Sequence, residues 1–286
     1  GGRRLAVQAY RLIVQAQGAD GNPRAAHVLA SLTGEGAAAR RGQPAYVAAV
    51  FDELAGAFEE KLVAHLGYRI PWQLLEAVQQ VSQGSSSVTG WRIIDLGCGT
   101  GLCGRLFQEY SSHGGSLIGV DLSSKMIEKC QEQGIYTELF VEDIHATLER
   151  ESEGQVDLII SADTFIYVGD LDRSFALCWR ALKPGGFFTF SIENLDSYLH
   201  QQKVVSNGMD SYVQLAESLE ESSENLGFKL LHSGRYAQSH KYIEELSSKH
   251  GFVILSRCTM EVVIRKEQGD DIPGLIFVLE KQEQLT

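Results

Sequence analysis

Residues 93–101 read Ile93-Ile94-Asp95-Leu96-Gly97-Cys98-Gly99-Thr100-Gly101, and this stretch decides the fold. Its β-branched residues predict the end of a buried strand, and the glycines that follow allow a sharp turn into a helix. Bare glycine backbone also lets a ligand approach closely, next to the start of that helix. The stretch therefore predicts a nucleotide-type loop between a strand and a helix.

Beyond this loop, apolar strand-like runs alternate with helical stretches, an order that indicates βαβ units and a parallel sheet covered by helices on both faces. The predicted strands are Leu117–Val120, Ile135–Val141, Val156–Ser161 and Phe187–Ile192, and the predicted helices include Ser123–Gln133 and Leu171–Leu182. Two closing apolar runs, Phe252–Val263 and Leu275–Leu279, leave no room for a crossover helix. We therefore expect these two runs to pair antiparallel.

The residues before the loop are helical in pattern. Apolar side chains recur at three- and four-residue spacing and predict one long amphipathic helix; they are Val47, Val50, Phe51, Leu54, Phe58, Leu62 and Leu66. The polar run 82–87 predicts a linker. We therefore expect a helical extension over residues 1–40, lid helices and a linker over 41–88, and an α/β domain over 89–286, with a polar, helical insertion after Glu193.

Acids follow the first three predicted strands, at Asp95, Asp121 and Asp143. The carboxyl ends of parallel strands border the crevice in which open α/β sheets bind ligands, so we expect all three carboxylates to face one ligand. Their negative charge opposes a diphosphate and suits an ammonium or a sulfonium group. A positively charged sulfur nucleoside is therefore favoured, although each acid has a structural alternative as a helix cap, a turn residue or a strand-end residue.

The same loop also satisfies the G-x-G-x-x-G pattern, through Gly99, Gly101 and Gly104. Dinucleotide-binding folds use that pattern, so a nicotinamide-dependent oxidoreductase stays open as the least favoured function.

The ordered motifs resemble those of class I S-adenosylmethionine-dependent methyltransferases, over roughly residues 90–195 of the chain. The resemblance is carried by residues 93–101, Asp121, Asp143 and residues 182–186. It implies a Rossmann-like sheet of strand order 3-2-1-4-5-7-6 with the seventh strand antiparallel. It also implies S-adenosylmethionine as the cofactor and S-adenosylhomocysteine as its product.

The flanking segments resemble a subgroup of predicted methyltransferases that often follows tetratricopeptide repeats. Residues 46–71, 167–171 and 233–237 are similar to that subgroup, and residues 22–34 are similar to its junction with the repeats. Residues 1–40 are therefore interpreted as a remnant of such repeats. The subgroup usually has a histidine at the position of Gln238.

The site residues follow from these motifs. The expected cofactor-binding residues are Tyr46, Asp95, Gly97, Cys98, Gly99, Gly101, Asp121, Leu122, Met126, Glu142, Asp143, Ile144 and Ala162. The catalytic candidates are Asp163, Tyr167, His232 and His240, and the candidates for binding the acceptor are Arg235 and Tyr236. Asp163 leads as a general base because it follows the fourth strand, where donor and acceptor should meet. Each candidate also has an ordinary packing or surface alternative.

Composition limits the partners. The 286 residues carry a formal net charge of -12, which disfavours a nucleic-acid substrate. The fourth-strand segment lacks the Asn-Pro-Pro-aromatic and Pro-Cys motifs of nucleic-acid methylation. The five cysteines have no zinc-type C-x-x-C pair, and no apolar run approaches the roughly 20 residues that cross a bilayer. We therefore expect a cytoplasmic protein with no metal and no membrane partner.

The leading hypothesis is a methyltransferase that acts on oxygen or nitrogen of a small molecule. The alternatives are a protein methyltransferase and a non-catalytic scaffold that binds the cofactor, with the N-terminal helices as the surface for a protein partner.

Overall fold

The structure is a computed structural model that describes residues 2–82, 89–206, 226–267 and 269–282. The predicted linker falls almost entirely in residues 83–88, outside the described residues, as do residues 207–225 of the predicted insertion after Glu193. Among the described residues, no helix is both long and apolar enough to cross a membrane.

The N-terminal part of the chain is helical. It forms α1 (Gly2–Gln17), α2 (Pro23–Thr33), α3 (Pro44–Leu54) and α4 (Ile70–Ser82). A 3-10 turn (Ala55–Ala57) and a π-helical turn (Glu60–His65) continue α3 toward α4. Proline occupies the first turn of α2 and of α3, where its missing N–H costs no hydrogen bond.

The α/β part follows in strict alternation. Its elements are β1 (Arg92–Leu96), α5 (Leu102–Phe107), β2 (Ser116–Asp121), α6 (Ser124–Gln133), β3 (Glu138–Val141), α7 (Ile144–Arg150), β4 (Val156–Ser161), α8 (Asp172–Ala181) and β5 (Leu182–Asn194). The later elements are α9 (Leu195–Ser206), β6 (Phe228–Leu230), β7 (Tyr236–Gln238), α10 (His240–His250), β8 (Phe252–Ile254), β9 (Met260–Glu267) and β10 (Asp270–Lys281).

The strands form one sheet of order β3-β2-β1-β4-β5-β10-β8. Strands β1 to β5 pair in parallel, whereas β10 is antiparallel to both β5 and β8. With β8 and β10 counted as the sixth and seventh strands, the predicted order 3-2-1-4-5-7-6 and its antiparallel strand are confirmed. The hairpin β6–β7 pairs with the end of β5 and adds to this framework.

Two predicted strands have different bounds in the structure. The run Phe252–Val263 is broken by a 3-10 turn at Ser256–Cys258, so that β8 and β9 pair with opposite ends of β10. The strand predicted from Ile135 begins only at Glu138, because Tyr136 turns inward to pack against Gly104 and Gly119.

The core covers both faces of the sheet. On β1, Ile94 and Leu96 pack on one face and Ile93 on the other, and all three are buried. One face is filled by aromatic rings, among them Phe188 and Phe190 of β5, whose centroids lie 4.7 Å apart. Burial on both faces explains the nearly continuous apolar runs that predicted a parallel sheet.

Candidate active site

A cavity of about 390 Å³ opens above the carboxyl ends of the parallel strands, within the roughly 300–1,000 Å³ range of small-molecule sites. One end is formed by the glycine loop and by the ends of β2 and β3. The other end is formed by the loop after β4, the β6–β7 turn and strand β9. Residues of α3 and of the turns after it cover both ends.

Gly97 and Gly99 expose the loop backbone to the cavity. Their φ angles are 71° and 54°, a region that glycine adopts without steric cost. The N–H groups of Gly97 and Cys98 donate to the carbonyl of Val120 at 2.8 and 3.0 Å, which ties the loop to β2. A side chain at Gly99 would project toward the ring of Phe58, 3.7 Å away. The loop is therefore kept bare on the side that faces the cavity.

Asp121 ends β2 and lines the cavity beside this loop. Its carboxylate accepts hydrogen bonds from the N–H groups of Gly99 (3.0 Å) and Ser123 (2.8 Å). Burial raises the pKa of this carboxyl. A carboxylate has about four lone-pair sites, so the two backbone donors leave acceptor capacity that a pair of ribose hydroxyls would fill.

Asp95 lies behind the glycine loop and does not line the cavity. It is 1% exposed, and its Oδ2 accepts a 2.7 Å hydrogen bond from the hydroxyl of Tyr136. Its other oxygen has no hydrogen-bond partner among the described residues. Burial raises the pKa of Asp95 to about 7. The expectation that all three acids border one cavity is therefore wrong for Asp95, which is buried against Tyr136 outside the cavity lining.

Tyr136 also explains the third glycine of the G-x-G-x-x-G pattern. A Cβ at Gly104 would lie 2.4 Å from the ring of Tyr136, and one at Gly119 would lie 2.9 Å from it. Gly104 is therefore required by the packing of this ring under the loop, and no diphosphate is needed to account for it.

Asp143 caps α7 and faces the cavity at the same time. Its carboxylate accepts from the N–H of His145 at 2.9 Å and pairs with Arg41 at 2.6 Å. Arg41 also donates to Nδ1 of His145 at 2.9 Å. Burial, together with the charge of Arg41, lowers the pKa of His145 to about 4, so the ring is neutral. Arg41, just before α3, is thus held at the end of the cavity that contains the glycine loop.

The predicted apolar stripe of α3 and its continuation faces this cavity, and every member of the stripe lines it. Phe51 packs edge-on against Tyr167 with ring centroids 5.2 Å apart. Polar contacts hold the cover in place: Ser123 donates to Asp52 at 2.5 Å, and Thr100 donates to Glu59 at 2.7 Å. We call residues 44–66 the lid, because the apolar side chains of this segment line one side of the cavity.

The loop after β4 is braced from two sides. Thr164 donates to the carbonyl of Leu96 at 2.7 Å. The buried amide of Gln238 donates to the carbonyls of Phe165 and Val168 at 3.1 and 2.9 Å. Gln238 thus holds the loop that presents Asp163.

Asp163 belongs to a buried cluster of charges at this end of the cavity. Its φ of 54° directs the carboxylate toward Arg265, whose Nη1 lies 3.5 Å from Oδ2, and its Oδ1 accepts from Ser191 at 2.9 Å. Arg265 also pairs with Glu193 and, at 2.6 Å, with Glu267. Burial raises the pKa of Asp163 to about 6, against the opposing effect of Arg265.

The cavity contains part of the predicted site. The predicted residues that line it are Tyr46, Gly97, Gly99, Asp121, Leu122, Asp143, Ile144, Ala162, Asp163, Tyr167 and Arg235. Those that lie outside its lining are Asp95, Cys98, Gly101, Met126, Glu142, His232, Tyr236 and His240.

Most of the residues outside the lining have another partner. Glu142 pairs with Arg150 at 2.7 Å, and Nδ1 of His232 contacts the carbonyl of Ser31 at 2.9 Å. The hydroxyl of Tyr236 donates to the carbonyl of Ala38. His240 begins α10, with its ring against Phe277. Both histidine candidates, His232 and His240, thus lie outside the cavity lining, and no other histidine is among its described residues.

Several residues that matter for the site escaped the sequence analysis. They are Arg41, Lys61, Tyr68, Tyr136, Thr164, Arg265 and Glu267. The one available signal was Arg265, a charged residue inside an otherwise strand-like run, because a lone charge in a buried strand requires partners.

The residues present fit S-adenosylmethionine. The glycine loop leaves the space that a side chain at Gly99 would occupy, Asp121 retains free acceptor capacity, and the loop carries no lysine or arginine for a diphosphate. Fold and site together resemble those of class I methyltransferases, the kind that uses S-adenosylmethionine.

Comparison with known proteins agrees with this class. Residues 93–186 match the family model described as a methyltransferase domain. A ubiquinone biosynthesis O-methyltransferase from Methylococcus capsulatus is 30% identical over 129 residues, which are 42% of this chain and 52% of that protein. Phosphoethanolamine N-methyltransferase 1 from Zea mays is 28% identical over 45% of this chain and 28% of its own length. The chain thus spans about half or less of these relatives.

Solved structures show the same fold over more of the chain. Magnesium protoporphyrin IX methyltransferase from Synechocystis, solved with bound S-adenosylmethionine, aligns with a TM-score of 0.53 at 13% identity, over 84% of this chain and 97% of that one. A methyltransferase from Methanosarcina mazei aligns with a TM-score of 0.51 at 17% identity, over 71% of this chain and 98% of that one.

Proposed function

We propose that the chain is a methyltransferase that transfers the methyl group of S-adenosylmethionine to an oxygen or nitrogen of a small molecule. The observation that carries the proposal is one covered cavity with a nucleoside end at Gly99 and Asp121 and a charged end at Asp163. The two relatives reported above act, by their names, on small molecules, which supports the acceptor class.

In the proposed reaction, the protein aligns the methyl donor with the acceptor and excludes water from both. Bound S-adenosylmethionine would supply the sulfonium methyl group, and Gly97, Gly99, Asp121 and Asp143 would hold it. Holding both reactants in line beneath a lid that keeps out water converts a bimolecular reaction into a unimolecular one, which is worth several kcal/mol. The lid supplies apolar walls for this purpose.

In the proposed methyl transfer, Asp163 accepts the proton of the acceptor group. Its pKa of about 6 leaves the carboxylate mostly ionised at neutral pH and ready to remove a proton from the acceptor. Burial raises the pKa of Tyr167 to about 12, so this phenol stays protonated and serves as a hydrogen-bond donor or an aromatic wall.

The organisation of the chain is part of the proposal. Residues 41–88 act as lid and linker and residues 89–286 as the catalytic domain, while residues 1–40 are a remnant of tetratricopeptide-like repeats. Support for the remnant is that α1 packs against α2 and leaves Leu5 and Leu12 of α1 exposed by 68% and 60%. That exposed side is the surface on which the proposal places a protein partner.

Calorimetry with S-adenosylhomocysteine and with NADH tests the proposal. We expect S-adenosylhomocysteine to bind and NADH not to bind; the reverse result would refute the function and favour an oxidoreductase. Transfer of a labelled methyl group is then measured with small molecules and with intact proteins as acceptors. Binding without transfer to any acceptor would favour the scaffold, whose motivating observation is the exposed side of α1.

A further inference from the structure

We infer that the acceptor is an amphipathic amine, a small molecule with an apolar body and a nitrogen that is methylated, and that carboxylate and phosphate compounds are excluded. The inference rests on the proposed methyltransferase function and names its substrate class. Three observations support it: the charge balance at the acceptor end, the pairing of both arginines there with carboxylates, and the aromatic walls.

We call the end of the cavity at Asp163 the acceptor end. The cluster of charged side chains at this end has one unbalanced negative charge. The groups packed together there are two guanidinium groups and three carboxylates, namely Arg235, Arg265, Asp163, Glu193 and Glu267. Arg265 and Glu193 are only 6% and 1% exposed. Because water screens buried charges poorly, the excess negative charge acts on any group bound in this end of the cavity.

Both arginines already form ion pairs with carboxylates. Nε of Arg265 donates to Glu267 at 2.6 Å, its Nη2 donates to Glu193, and its Nη1 lies 3.5 Å from Asp163. Arg235 donates to Glu267, and its Nε lies 3.5 Å from Glu193. An anionic acceptor would meet arginines whose charge is already balanced by carboxylates, and it would be repelled by the excess carboxylate.

The remaining cations of the described lining do not reverse this balance. Arg41 pairs with Asp143 at the nucleoside end, and Lys61 is exposed on the lid. Neither belongs to the cluster around Asp163.

Aromatic rings line the same cavity. Tyr46, Phe51, Phe58, Tyr68 and Tyr167 all line the cavity. The faces of such rings attract ammonium groups, most strongly where water is excluded. They also accommodate an apolar body, which distinguishes the expected acceptor from a small, fully hydrated amine.

The reaction preserves the charge of the cavity. An ammonium has no lone pair, so the carboxylate of Asp163 first takes one proton from the bound ammonium group. The lone pair of the resulting neutral amine then forms the new N–CH₃ bond while the S–CH₃ bond breaks, and the electrons of that bond go to sulfur. The positive charge therefore moves from sulfur to nitrogen, beside the carboxylates and the aromatic rings. The product leaves as a methylated ammonium, and the proton held by Asp163 passes to solvent.

Matched ligands of one carbon skeleton test the inference. Binding of tryptamine, tryptophol and indole-3-acetate is measured by calorimetry on the full chain saturated with S-adenosylhomocysteine, and transfer of a labelled methyl group is measured with the same compounds. We expect the amine to bind at least about tenfold more tightly than the acid, a difference of about 1.4 kcal/mol, and to be the compound that is methylated.

Two charge variants make the test specific. Arg235→Gln removes a positive charge from the cluster and should increase the ratio of the affinity for the amine to the affinity for the acid. Glu267→Gln removes a negative charge and should decrease that ratio. Glu245→Gln, on the exposed face of α10, removes a charge outside the cavity and should leave the preference unchanged.

Equal or tighter binding of the acid, methylation of the acid or the alcohol alone, or no binding of the amine would overturn the inference. In each of these cases, intact binding of S-adenosylhomocysteine leaves the proposed function standing. Absence of S-adenosylhomocysteine binding refutes the proposed function itself.

Discussion

The hydroxyl of Tyr136 donates a 2.7 Å hydrogen bond to Oδ2 of Asp95 beneath the glycine loop. This contact joins the strand end that precedes the loop to the segment that enters β3. It also explains why Asp95, placed by the sequence among the ligand-binding acids, instead supports the loop from behind.

Removing that donor should destabilise the protein. In Tyr136→Phe the ring still packs against Gly104, but the buried carboxylate loses its hydrogen bond, at a cost of about 1–2 kcal/mol. Denaturant unfolding measures the change, with Tyr10→Phe on α1 as the matched control. An unfolding free energy equal to that of the wild type would show that the hydrogen bond contributes nothing.

Asp95 should make stability depend on pH. Burial raises the pKa of this carboxyl from 3.8 to about 7, so the folded chain binds the proton more tightly than the unfolded chain. The stabilisation is fully present below about pH 4 and is lost as the pH rises through 7. Asp95→Asn cannot ionise, so its unfolding free energy relative to the wild type should rise by roughly 2–4 kcal/mol between pH 4 and 8. A constant difference across this range contradicts the assignment.

Gly104→Ala should destabilise the protein although alanine is the better helix former. The new Cβ would lie 2.4 Å from the ring of Tyr136, an overpacking that costs about 1–3 kcal/mol. Gly56→Ala is the matched control, since nothing lies within 4 Å of a Cβ there. Thermal unfolding should show a lower midpoint for Gly104→Ala alone; equal midpoints would mean that Tyr136 moves aside freely.

Asp121→Ala should weaken binding of S-adenosylhomocysteine by about 1.5–3 kcal/mol, because hydrogen bonds to a charged group are lost. Calorimetry measures the affinity, and Asp121→Asn, which retains one acceptor oxygen, should give a smaller loss. Glu132→Gln serves as the control: its carboxylate pairs with Lys129 on the exposed face of α6, outside the cavity lining, so the affinity of this variant should equal that of the wild type. Unchanged affinity in both Asp121 variants would refute the role of this residue.

The rate of methyl transfer should depend on the ionisation of Asp163. Its pKa of about 6 means that the base form is lost as the pH falls, so kcat should decline below pH 6 and level off above it. Asp163→Asn should lower kcat and remove this step from the pH profile while retaining affinity for S-adenosylhomocysteine; asparagine tolerates the positive φ of this position. A variant that keeps the wild-type profile would exclude Asp163 as the base.

The lid shows what a local pattern can and cannot predict. The spacing of Val47, Phe51 and Leu54 predicted one apolar stripe on a helix, and the structure has that stripe. Periodicity reports which side chains share a face, whereas the partner of that face depends on packing. In this chain the stripe covers a cavity instead of filling a core.

The sequence by itself determined the alternation of strands and helices, the antiparallel pairing of the closing runs and the glycine loop, because hydrophobic period and turn residues act over a few neighbouring positions; the order of the strands was implied by the resemblance to a known family. Tertiary structure alone decided that Asp95 is buried against Tyr136 outside the cavity lining and that Asp163 meets Arg265, 102 positions further along the chain. Contacts of that kind depend on how strands from distant parts of the chain are aligned in the sheet. No local pattern records that alignment, so the charge at the acceptor end became visible only in the folded chain.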